Sequence, residues 1–278
     1  MAFFRKSHIV GALLALSAAG AMAAQSPEAS QGSTNNGFVP SVGQAGKDVI
    51  WVPTPQALVD RMLDMANVTA DDILYDLGSG DGRTVISAAK RGARAKGIEY
   101  NPDMVALSRS AALREGVADK ATFVQGDIFE SDFSDATVIT LFLLPNLNLR
   151  LKPILLNMPP GTRVVSNSFT MGDWEPDDTA KAEGCSNYCI AYKWVIPADV
   201  EGTWKTSDGE LTLTQKYQKV EGTLRTGSSS VPITDGRLDG TTLTFKAGDQ
   251  EYRVRVDGNK MNVESGSGPA GWSATRAG

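Results

Sequence analysis

The sequence predicts an α/β chain, a doubly wound and mostly parallel sheet, followed by a small antiparallel all-β module. Three observations carry this. Between Ile73 and Phe169 short apolar runs alternate with stretches of helical periodicity, as in a parallel sheet covered on both faces by its crossover helices. The stretch "YDLGSGDGR" (75–83) puts three glycines at alternate positions where an apolar run gives way to a helical one. Beyond Asp199 helical periodicity is lost, and short alternating segments separated by single glycines take over, the texture of a small barrel or curled sheet.

The elements follow in order. "WVPTPQALVDRMLDMA" predicts a first helix capped by Thr54, with Pro55 at its first position and Leu58, Met62 and Met65 on one face. Strands are predicted over Ile73–Leu77, Ala95–Tyr100, Thr122–Gly126, Thr137–Leu144 and Thr162–Phe169. Helices begin near Gly82, Pro102 and Asn146, and "CIAYKWVIP" (189–197) adds an antiparallel strand at the far edge. In the last eighty or so residues, Leu243, Phe245, Tyr252, Val254 and Val256 fall on one face of their strands. The domains expected are therefore 47–198 for the α/β part and 199–278 for the β module.

The first twenty-three residues read as an export signal. Arg5 and Lys6 precede the apolar run "IVGALLALSAAGAMA", and Ala21-Met22-Ala23 fits a small-x-small cleavage pattern. That run is shorter than the roughly twenty residues a spanning helix needs. An exported, periplasmic protein is expected, with an uncleaved N-terminal anchor as the alternative. Residues 24–46, rich in serine, glycine and asparagine, read as a linker unable to bury enough surface to offset its ordering entropy.

Composition excludes several classes. A net charge of −5, with no run of basic residues beyond pairs, gives no footprint for nucleic acid. The single histidine, His8, lies in the leader, so a processed chain has neither a Ser-His-Asp triad nor histidine metal ligands. No metal site is expected.

A glycine turn between a strand and a helix lets backbone N–H groups approach a ligand at a helix N-terminus. Gly78 and Gly80 match the first half of the dinucleotide pattern, but the third glycine falls at Gly82, not at the sixth position. Glu99 ends the second strand twenty-one residues after Gly78, where a carboxylate accepts hydrogen bonds from ribose hydroxyls. Asp127 ends the third strand in "VQGDIF", placed to read an adenine edge while Ile128 packs on the ring.

These three strand ends resemble the class I S-adenosylmethionine-dependent methyltransferases, whose fold is Rossmann-like. The resemblance matches Asp76 to the acid of the first motif, Gly78, Gly80 and Gly82 to its loop, Glu99 to the ribose acid and Asp127 to the adenine acid. S-adenosyl-L-methionine is the cofactor it implies. "PTP", "LFLLPNLN" and "PPGTRVVSNSFTMGDWEPD" extend the likeness to the bacterial relatives of the mitochondrial family that methylates lysines of a membrane component of ATP synthase and of the ADP/ATP carrier. A protein substrate, of membrane or envelope type, and N-methylation of lysine are what that implies.

The acceptor is expected over "FLLPN" (142–146). Many amine methylases set Asn or Asp before a proline pair there, whereas this chain has Leu144-Pro145-Asn146. Asn146 and Trp174 are the acceptor-side candidates, with helix capping and packing as their structural alternatives. Cys185 and Cys189, four apart in "GCSNYC", suit a disulfide in an oxidising compartment, with two free thiols as the alternative. Two further functions stay open: an exported nucleoside- or S-adenosylmethionine-binding protein without turnover, and an envelope interaction protein acting through the β module.

Overall fold

The computed structural model describes residues 37–264 and 268–277; the leader and the first part of the expected linker lie outside them. Strands β1 (Ile73–Leu77), β2 (Arg94–Glu99), β3 (Ala121–Gln125), β4 (Val138–Leu141), β5 (Arg163–Asn167), β6 (Asp178–Lys181) and β7 (Ile190–Val195) form one sheet in the order β3-β2-β1-β4-β5-β7-β6. The first five strands are parallel, and β7 runs antiparallel to β5 and β6.

Alternate strand residues feed two cores, as the period of two requires. Leu74, Ala95, Val138 and Val165 pack with helices α1 (Gln56–Met65), α2 (Arg83–Lys90) and α3 (Pro102–Arg114) on one face. Tyr75, Leu77, Ile139 and Val164 pack with α4 (Pro145–Leu156) on the other. Leu58, Met62 and Met65 are buried on α1, as its periodicity predicts. The strand order reverses between β1 and β4, and in open α/β sheets the crevice outside the strand ends at such a point holds the ligand.

The remaining strands close into an antiparallel barrel: β8 (Gly202–Thr206), β9 (Gly209–Lys216), β10 (Lys219–Thr226), β11 (Ser229–Asp239), β12 (Thr242–Ala247), β13 (Gln250–Asp257), β14 (Lys260–Val263) and β15 (Ser273–Arg276). Leu243, Phe245, Tyr252, Val254 and Val256 do fill its core. The barrel is keyed into the sheet by the β9–β10 turn. Trp174 is fully buried there; its Nε1 donates to Gln218 Oε1 at 3.0 Å, and its ring stacks on Tyr217 at 5.6 Å. Gln218 Nε2 returns a bond to Glu175 O at 2.8 Å. Both polar ends of this buried contact are satisfied, as a stable polar junction requires.

Four expectations are corrected. Thr54 does not cap α1: Pro55 precedes the helix and no side chain caps it, because Thr54 Oγ1 accepts instead from Asn167 Nδ2 at 3.2 Å. The strand at 190–195 is antiparallel but not at the edge, which belongs to β6. Asn146 is not the cap of α4, since the helix starts at Pro145 with Leu144 extended before it, the conformation a following proline imposes. Finally, residues 37–46 are more than a linker. Gly43 N donates to Trp51 O, Trp51 N to Gln44 O and Gly46 N to Val49 O, all at 2.8–2.9 Å, so residues 43–46 form the first arm of a small hairpin that returns through Val49–Trp51.

Candidate active site

The carboxyl ends of β1, β2, β3 and β4 open into one cavity, and residues 44–54, the hairpin and the three residues after it, form another of its walls. β1 leads into the loop Gly78-Ser79-Gly80-Asp81-Gly82, whose three glycines have φ of +83°, +53° and +80°. At Gly80 glycine is needed twice over. The backbone is left-handed, and a Cβ there would stand 2.7 Å from Trp51 Nε1. Gly97 on β2 is needed for space alone, since a Cβ would meet Ser79 Oγ at 2.5 Å. The loop therefore lies pressed between the hairpin's tryptophan and the neighbouring strand.

Each of the three acids sits at this edge. Asp76 is almost fully buried and is flanked in register by Gly97 and Thr140. Thr140 Oγ1 donates to its Oδ1 at 2.7 Å. Burial, helped by the negative charges of Asp81 and Glu99, pushes its carboxyl up to about 7 against the opposing hydrogen bonds of Thr140 and Thr84. Glu99 Oε2 accepts from Gly80 N and its Oε1 from Asn101 N, both at 2.9 Å, so its position is fixed from two sides. Asp127 Oδ1 accepts from Phe129 N at 2.9 Å, and its Oδ2 pairs with Lys47 Nζ. That lysine, followed by the backbone amide, holds the Asp127 carboxyl below the usual carboxylate range.

Asp76, Gly78, Gly80, Glu99, Asp127 and Ile128 all line the cavity, whereas Gly82 lies just behind it, where a Cβ would strike Phe123 and Ser108. Asn146 is exposed outside the cavity, and Trp174 belongs to the barrel junction. Neither acceptor-side candidate is brought to the site. Cys185 and Cys189 are joined by a disulfide with Cα atoms 5.7 Å apart. Lys47, Trp51, Asp81, Tyr100, Thr140 and an aromatic group on the β4–β5 side were not anticipated. The apolar "VIWV" (49–52), two residues after Lys47 and following a polar stretch, is the available signal for the hairpin.

The donor set suits a particular kind of ligand. Three acidic side chains line one edge of the cavity, and a ligand that complements them brings hydrogen-bond donors and positive charge. S-adenosylmethionine carries both, in its ribose diol, its exocyclic amine and its sulfonium and ammonium groups. This fold and this donor set define an S-adenosylmethionine-dependent methyltransferase.

Known proteins agree. Residues 76–178 match the family described as the ANTKMT methyltransferase domain. A Saccharolobus islandicus protein named protein-lysine N-methyltransferase is 44% identical over 151 residues, covering 53% of this chain and 94% of its own. The mouse adenine nucleotide translocase lysine N-methyltransferase is 37% identical over 105 residues, 37% of this chain and 46% of its own, so the match spans about half of that relative. The crystal structure of an RNA methyltransferase from Salinibacter ruber with S-adenosyl-L-homocysteine is 53% identical with a TM-score of 0.51, over 54% of this chain and 96% of its own. The chain belongs to the ANTKMT-type methyltransferase family. The family match ends before the barrel begins.

Proposed function

We propose that the protein methylates the Nε of lysine in a protein acceptor, using S-adenosylmethionine held by Asp76, Glu99 and Asp127. The observation that carries this is the Saccharolobus islandicus relative named protein-lysine N-methyltransferase, nearly all of which this chain covers. When bound, the cofactor supplies a methyl group on a positively charged sulfur. The chain's own residues then bind, orient and desolvate. Glu99, fixed by Gly80 N and Asn101 N, orients the ribose; Asp127, with Ile128 beside it, reads the base; Asp76, buried and near neutrality in its titration, receives the cationic end.

In-line transfer depends mainly on positioning, which a rigid strand edge supplies. The acceptor amine must arrive unprotonated, although its free pKa is about 10.4. Burial against apolar walls lowers it. Phe142, Leu143 and Leu144, just after β4, supply such walls on the acceptor side of the cavity.

The basic leader with its apolar run supports export to the periplasm, and the Cys185–Cys189 disulfide supports it too, since such bonds persist in oxidising compartments. An envelope protein is then the acceptor within reach. The test incubates purified protein with labelled S-adenosylmethionine and, separately, envelope protein and total RNA. Label in protease-sensitive material that hydrolyses to methyl-lysine is expected. Label in RNA instead would transfer to this chain the substrate named for the Salinibacter relative and overturn the lysine assignment.

A further inference from the structure

Three aromatic rings from separate segments meet at the same strand edge. Phe142 directly follows β4, Phe169 lies just beyond β5, and Tyr188 lies just before β7. Because β7 runs antiparallel to β5, its start lies where β4 and β5 end. Phe142 and Phe169 stack with centroids 6.2 Å apart, while Tyr188 meets Phe142 edge-on at 5.2 Å and stands 6.5 Å from Phe169. All three line the cavity, yet Tyr188 keeps 44% of its surface exposed. With Phe142 and Phe169 half-buried and Tyr188 exposed, the cluster forms an open wall of the cavity.

Tyr188 reaches that wall through an uncommon backbone conformation. Its φ is +54°, the left-handed region that a bulky side chain seldom adopts. It lies inside the five-residue loop closed by the Cys185–Cys189 disulfide. The base of the loop is anchored: Cys189 is buried, Ala182 N donates to Cys189 O at 2.9 Å, and Ser168 N donates to Ile190 O at 2.8 Å. Ser186 and Asn187 are exposed. The covalent bridge closes the loop whose tip carries Tyr188 over Phe142.

We infer that the disulfide-closed loop 185–189 is part of the acceptor site, holding Tyr188 against Phe142 and Phe169 as the wall along which the acceptor side chain enters. This rests on the lysine reading above. The acids that suit the cofactor lie at the ends of β1, β2 and β3, and the rings lie at the ends of β4 and β5 and the start of β7. A donor held by the first group leaves the second facing its reactive end. Aromatic faces accept the methylene stem of a lysine and attract its cationic or methylated head. Tyr188 is a positioning and specificity residue here, and the bridge makes its placement depend on redox state. Opening it with a dithiol adds two electrons and two protons to the two sulfurs, while the reductant's thiols join as their own disulfide.

The test uses the full chain saturated with S-adenosyl-L-homocysteine and titrated with Nα-acetyl-Nε-trimethyl-lysine amide as the acceptor-side probe. Tyr188→Ala, the double variant Cys185→Ser/Cys189→Ser and dithiol-treated wild type should each weaken probe binding roughly fivefold, and Tyr188→Phe should stay within about twofold. Affinity for S-adenosyl-L-homocysteine should remain within about twofold throughout, which also certifies folding. Equal probe binding by wild type, Tyr188→Ala and the serine variant overturns the inference, as does probe binding too weak to measure in a wild type that binds S-adenosyl-L-homocysteine. A wild type that fails to bind S-adenosyl-L-homocysteine overturns the cofactor assignment itself, and the inference with it.

Discussion

Asp76→Asn separates what the site needs from what the fold prefers. The wild-type carboxyl is buried and pushed up to about 7 from 3.8. A group whose pKa is raised in the folded state stabilises the fold fully below its unfolded value, and that contribution is lost as pH climbs through the folded value. For Asp76 the window runs from about pH 4 to pH 7. Between pH 5 and pH 8 the ligand-free protein should lose about 2 to 3 kcal/mol from this residue alone. Asparagine keeps the shape and can still accept from Thr140, but it has no proton to lose. At pH 8 the variant should therefore be the more stable, by about 4 kcal/mol at most. The assay is urea unfolding of both ligand-free proteins at pH 5, 6, 7 and 8, taking the difference between them so that other titrating groups cancel. Binding of S-adenosyl-L-homocysteine at pH 8 should weaken in the same variant, the trade of stability against function expected at a working site. A difference in unfolding free energy that does not change with pH would refute the buried-carboxylate reasoning.

Other outcomes follow from the same geometry. Glu99→Ala removes the partner of Gly80 N and Asn101 N together with the ribose acceptor. Cofactor affinity measured by calorimetry should fall by about 1.5–3 kcal/mol per lost charge-assisted bond, and unchanged affinity would show the ribose contact misassigned. Gly80→Ala sets a Cβ in a left-handed position against Trp51; a stability loss of about 1–2 kcal/mol with displaced tryptophan fluorescence is expected. Trp174→Ala empties the barrel junction and should cost about 3–5 kcal/mol in unfolding while leaving S-adenosyl-L-homocysteine affinity nearly unchanged, since the cavity lies elsewhere. Lys47→Met frees Asp127 from its ion pair and loosens the hairpin; stopped-flow release of the cofactor should be faster, and an unaltered rate would remove the hairpin from cofactor retention.

The sheet and the acid positions were legible because they rest on local pattern. Strand β1 falls at the expected residues, and the helices after it begin within a residue of their expected starts, since apolar runs, glycines and prolines act on their immediate neighbours. What escaped depends on partners far along the chain. Thr54 has the sequence of a cap, but Asn167 claims its hydroxyl across 113 positions. Trp174 sits in a motif that the family resemblance covers, yet Gln218 of the barrel accepts from its ring and fixes its place. Strand β6 is exposed on most of its length and carries no apolar alternation to betray it. The first arm of the hairpin, up to residue 46, is polar enough to resemble a linker, and only its backbone bonds to the apolar arm that follows reveal its role. In "GCSNYC" the spacing of the two cysteines is itself a signal, while the tyrosine between them acquires meaning only beside Phe142 and Phe169.

The most direct measurement is a crystal structure of the protein with S-adenosyl-L-homocysteine bound. The adenosyl group is expected in the crevice between β1 and β4, with ribose hydroxyls on Glu99, the base beside Asp127 and Ile128, and the sulfur turned toward Phe142. A ligand seated away from these strand ends, or side chains of Glu99 and Asp127 pointing to different molecules, would contradict the assignment of the strand edge as the cofactor's seat.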